Sequence, residues 1–176
     1  MNIQKGVKDM NRKIRRSVFE TNSSSTHSFT YGGAYNNLVV DDFDNCVHTY
    51  LNDFGWEVCS YFDSKAKLDY ILLAAANFTD HDFWCCSRAE LEKEIASFKE
   101  TEEYKRIEET VKNVMHCDGI VIEDGAEGYI DHQSLEYGSF DEWLDDTYAD
   151  SVEDFIFGGV VLHTDNDNRW DDDWDC

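Results

Sequence analysis

Between Ser64 and Phe78 the apolar side chains return every three or four residues. Leu68, Ile71, Leu72 and Ala75 share one face, and an α-helix packed along that face fits the spacing. Asp63 or Ser64 stands where an N-cap belongs. Ser87 followed by Glu90 forms a capping box ahead of a long helical run. Leu91, Ile95 and Phe98 hold one face of that run, and Ile107, Val111 and Val114 hold another. The phase slips near Thr101–Glu103, which predicts a kink or two helices, with Gly119 ending the segment. Ser139 with Glu142 makes a second capping box. Phe140, Trp143, Leu144, Val152, Phe155 and Ile156 then trace one buried helical stripe, closed by Gly158-Gly159. Arg15–Phe19, Phe29–Tyr31, Leu38–Val40, Ile120–Ile122, Gly128–Ser134 and Val160–His163 read as strands, and Val47–Leu51 fits either strand or helix. Strands and helices mix without regular β-α alternation. The pattern therefore predicts an α+β fold, a small mixed or antiparallel sheet packed against three to four helices. It divides the chain into a basic arm (1–14), a single α+β domain (15–164) and an acidic tail (165–176).

Charge narrows the partners. Asp+Glu number 38 against 15 Lys+Arg, for a formal net charge of -23 in 176 residues. Residues 1–16 hold six bases (Lys5, Lys8, Arg12, Lys13, Arg15, Arg16) and one acid, Asp9. From Asp141 onward thirteen acids face one base, Arg169. With 41% hydrophobic and 14% aromatic residues the chain still has enough apolar surface for a core. A field of this sign repels nucleic-acid phosphates and draws basic partners and cations. The expected partner is a basic nucleic-acid-binding protein, with no direct binding of free nucleic acid and no membrane. The basic start is not followed by an apolar run, so no secretory leader is expected and the protein reads as cytoplasmic. Its six cysteines are then expected to be reduced.

Several constellations carry chemistry. Asp141, Glu142, Asp145, Asp146, Asp150, Glu153 and Asp154 fall on the outer face of the helix predicted from Phe140. Side chains at i and i+4 lie about 6 Å apart, so this helix would hold a ladder of carboxylates resembling a row of phosphates. Asp171, Asp172 and Asp173 extend the acidic surface into the tail. Asp165 and Asp167 have calcium-loop spacing, but Arg169 and Trp170 stand where an oxygen ligand and a glycine belong. The polar run TNSSSTHS (Thr21–Ser28) reads as a loop. Its Ser24, Ser25 and His27, with Asp131 and His132 of a second polar run, are the candidates for a Ser/His/Asp catalytic site. Cys46-x-His48 with Cys59, or His116-Cys117, lacks the paired spacing of a zinc site. No metal and no cofactor are expected.

Two motifs, RRSVFETNSSSTHS (Arg15–Ser28) and GYIDHQS (Gly128–Ser134), resemble an uncharacterised family of proteins from phages and Gram-positive, Clostridia-like bacteria. That resemblance implies no activity and assigns no residue a role. The small size, acidity and phage-type origin together resemble anti-CRISPR inhibitors of Cas9. The function expected on that basis is an acidic, non-enzymatic inhibitor. It would occupy a basic groove of a nuclease such as Cas9 and block DNA or guide RNA. The alternative is a small hydrolase or transferase built from the two polar motifs.

Overall fold

A computed structural model describes residues 25–54, 59–83, 87–123, 128–130, 135 and 137–166. The fold is α+β. Strand β1 (Ser25–Tyr31) pairs antiparallel with β5 (Val160–Asn166), and β5 pairs antiparallel with β3 (Ser60–Tyr61). This three-stranded sheet has the order β1-β5-β3. A separate parallel pair joins β2 (Cys46–Thr49) to β4 (Gly119–Ile122). The predicted strand at Arg15–Phe19 lies outside the described residues. Leu38–Val40 contributes a single bridge, Val40 to Val47, and not a strand.

Helix α1 (Ser64–Phe78) begins where the sequence placed it. The Asp63 side chain accepts from the Ala66 backbone N–H at 3.0 Å. The spacing predicted one buried face, yet α1 is buried on nearly every side. Ala74, Ala75 and Ala76 let neighbours approach closely, and Leu68, Tyr70, Ile71 and Leu72 are fully enclosed. Even Lys67 is enclosed. Its Nζ donates to the Gly158 carbonyl at 2.9 Å, and desolvation holds its pKa below the usual lysine range.

The phase slip at Thr101 separates two helices, α2 (Arg88–Phe98) and α3 (Glu102–Met115). The Glu90 carboxylate of the capping box accepts from the Ser87 backbone N–H at 2.9 Å. Thr101 serves both helices at once. Its hydroxyl donates to the Phe98 carbonyl at 2.7 Å and accepts from the Tyr104 N–H at 3.2 Å. Thr101→Ala removes both bonds and is expected to cost about 1–2 kcal/mol, read as a lower urea midpoint at unchanged slope. Gly119 does not end α3; His116 does, in the left-handed region at φ 56°, and Gly119 opens β4.

The stripe from Phe140 is broken. It forms two short helices, α4 (Phe140–Asp146) and α5 (Val152–Phe157). Tyr148 at φ 65° turns the chain between them. The described residues therefore hold five helices, where the pattern predicted three to four. Gly158 caps α5 as expected. The core lies where α1, α4 and α5 meet the inner face of β1. Around Trp143, the rings of Phe140, Phe155, Tyr70, Phe29 and Phe78 stand at 5.4–6.3 Å between centroids. No described helix is long and apolar enough to cross a membrane.

Candidate functional site

A loop turns back on itself just before β2. The Asp41 N–H donates to the Cys46 carbonyl at 2.8 Å, and the Asn45 N–H donates to the Asp41 carbonyl at 2.9 Å. One oxygen of Asp41 accepts from the Phe43 N–H at 2.7 Å, and one of Asp44 accepts from the Cys46 N–H at 3.1 Å. His48 follows on β2, with its Nε2 2.9 Å and 3.1 Å from the two Asp44 oxygens. Its Nδ1 bonds Glu123. Glu123 reaches it because β2 and β4 run parallel, with His48 opposite Val121 and the Glu123 N–H donating to the Thr49 carbonyl.

Asp41 and Asp44 are exposed and His48 is half-buried. Glu123, then Asp44, raise the His48 pKa, because both hydrogen bonds favour the imidazolium. The His48 bond in turn holds Asp44 below the usual carboxylate range. Asp41 and His48 also form one wall of a cleft of about 230 Å³, completed by Asn37, Leu38, Val39, Val47 and Lys65. Asn37 anchors the cleft to α1. Its side chain donates to Asp63 at 3.0 Å and accepts from the Lys65 N–H at 2.9 Å.

The predicted catalytic group is only partly described. Ser25 and His27 lie on β1, not in a loop, so Ser25–Ser28 of the polar run is strand. Pairing with β5 overrides the turn preference of Ser and Thr here. His27 Nδ1 lies 2.8 Å from the Tyr70 hydroxyl. From the second motif, Gly128–Ile130 run beside Phe54, whose N–H donates to the Tyr129 carbonyl at 2.8 Å and which bridges Ile130. A side chain at Gly128 would meet the Asn52 carbonyl at 2.8 Å, so glycine is required for this close approach. Phe54 packs edge-on against Tyr70 at 5.0 Å. Phe54 thus links the described part of the second motif to Tyr70, which His27 of the first motif also touches. Ser24, Asp131 and His132 lie outside the described residues.

The acidic face sits on α4 and α5, not on one continuous helix. Asp141, Glu142, Asp145, Asp150 and Glu153 are exposed, whereas Asp146 and Asp154 are half-buried. Several serve the fold. Asp141 pairs with Arg106, Glu142 accepts from the Gly138 N–H, Asp146 accepts from the Tyr137 hydroxyl, and Asp154 accepts from the Asp150 N–H. Asp145 and Glu153 make no hydrogen bond or ion pair among the described residues. Asp171, Asp172 and Asp173 lie outside them, as does the predicted calcium-spaced tail beyond Asn166.

The cysteine expectation is corrected in part. Cys59 is disulfide-bonded, to a partner outside the described residues, while Cys46 and Cys117 are free thiols. Cysteine usage therefore no longer argues for a reducing compartment. The sequence sets His48 beside Cys46 and Cys59, and the structure instead groups it with Asp41 and Asp44. The available signal was the local spacing Asp41-x-x-Asp44-x-x-x-His48. Comparison with protein families, with curated proteins and with solved structures finds no match to this chain.

Proposed function

We propose that this protein acts by binding and not by catalysis. It is an acidic inhibitor that docks on the basic nucleic-acid groove of a nuclease of the Cas9 type and blocks entry of DNA or guide RNA. The observation that carries this reading is the division of α4 and α5 into two faces. Phe140, Trp143, Leu144, Val152, Phe155 and Ile156 are buried, and Asp141, Glu142, Asp145, Asp150 and Glu153 are exposed around that fixed base. The net charge of -23 supplies the long-range attraction. His27, the described histidine of the hydrolase or transferase alternative, is half-buried, with its Nδ1 2.8 Å from the Tyr70 hydroxyl at the edge of the core.

The test uses three carboxylates, Asp145→Asn, Asp150→Asn and Glu153→Gln, in one variant. Affinity for purified Cas9 is measured at rising salt. The triple variant is expected to bind about 10–100-fold more weakly at low salt, with a shallower salt dependence. Unchanged affinity and an unchanged salt slope would overturn the charge-based reading.

A further inference from the structure

We propose that Asp41, Asp44 and His48 form a binding site for a divalent transition-metal cation of the zinc class, with Glu123 as the residue that orients the imidazole. The donor atoms of Asp41, Asp44 and His48 already lie within 4.8 Å of one another. Around an ion with bonds of about 2.0–2.2 Å to nitrogen and oxygen, neighbouring donors stand roughly 3–3.5 Å apart, a separation close to the 2.9 Å and 3.1 Å between His48 Nε2 and the Asp44 oxygens.

Glu123 makes this more than a patch of acids. It directly follows β4 and holds the His48 Nδ1. A carboxylate on one imidazole nitrogen fixes the tautomer and presents the other nitrogen to a metal. Here that other nitrogen, Nε2, faces Asp44. Nε2 and the nearer Asp44 oxygen, 2.9 Å apart, therefore stand as two adjacent donors on one side of the ring.

The backbone prepares the same arrangement. The Phe43 N–H holds one oxygen of Asp41 and the Cys46 N–H one oxygen of Asp44, which limits how far either carboxylate can turn. The cleft beside Asp41 and His48 leaves space for water at the remaining coordination positions. One imidazole with two carboxylates suits zinc, manganese or nickel, whereas calcium prefers a shell of oxygens alone.

Chelator-treated protein is titrated with Zn²⁺ by calorimetry, and separately with Ca²⁺. Binding of one Zn²⁺ per chain is expected, with Ca²⁺ far weaker. His48→Gln and Asp44→Asn should abolish that binding, and Glu123→Gln should weaken it about 10–100-fold. The Asp145→Asn, Glu153→Gln double variant should bind Zn²⁺ as the unmodified chain does. Histidine side-chain NMR on the unmodified chain keeps the test valid if a variant unfolds: the His48 ring signals must shift first and most on adding Zn²⁺. No Zn²⁺ binding, binding that survives His48→Gln in a folded variant, equal affinity for Ca²⁺, or unshifted His48 signals would each overturn the site.

Discussion

Trp143→Ala should be the most damaging single substitution in this fold, costing about 3–5 kcal/mol. Trp143 is fully buried at the point where α4, α5, α1 and β1 meet, ringed by five aromatic side chains. Truncation removes the transfer free energy of the indole and leaves a cavity between elements that are themselves packed on others. Trp143→Phe should be far milder. The indole Nε1 is buried with no hydrogen-bond partner among the described residues. Removing an unsatisfied donor recovers about 1–3 kcal/mol, which offsets much of the lost area. Urea unfolding followed by far-ultraviolet circular dichroism separates the two. A Trp143→Ala variant within about 1 kcal/mol of the parent would show that the acidic helices do not depend on this base.

The second large effect is one of pH. Asp69 is buried, and desolvation raises its pKa from 3.8 to about 6, against the opposing bond from Thr49. The folded chain therefore keeps the Asp69 proton up to about pH 6, whereas the unfolded chain releases it near 3.8. Folding takes up a proton between these limits, so this group's contribution to stability is full below about pH 4 and is lost as the pH rises through 6. At 1.36 kcal/mol per unit the loss is at most about 3 kcal/mol. Asp69→Asn keeps the shape, and Asn52, which now donates to Asp69 at 2.8 Å, can turn its own amide to match. The variant should be more stable than the parent above pH 6 and converge on it near pH 4. Subtracting the two stability profiles removes the effects of Asp44, Glu90 and His48, which titrate in both proteins. A flat difference curve, or one of opposite sign, would refute the assignment.

Much of this architecture was legible because caps and apolar periods are local. Asp63, Ser87 with Glu90, and the slip at Thr101 each marked a helix boundary that the structure keeps. The failures are equally physical. Nothing in Thr147–Ser151 is glycine or proline, so the break at Tyr148 left no mark, and the apolar stripe continues in phase across it. Ser25–Ser28 looks like a turn by composition and becomes strand only because β5 lies beside it. The His48 group was half visible. Asp41 and Asp44 are its sequence neighbours, but Glu123 stands 75 residues away and is delivered by a parallel pairing that no local pattern announces.

The register of β1 against β5 has a consequence for the charge of the whole chain. Ser25 pairs with Asn166, so the two ends of the described fold lie side by side, about 5 Å apart across an antiparallel ladder. The segment that carries the six N-terminal bases and the segment that carries Asp171, Asp172 and Asp173 are tethered to that one spot. The basic stretch before Ser25 and the acidic stretch after Asn166 thus join the described fold at neighbouring backbone positions.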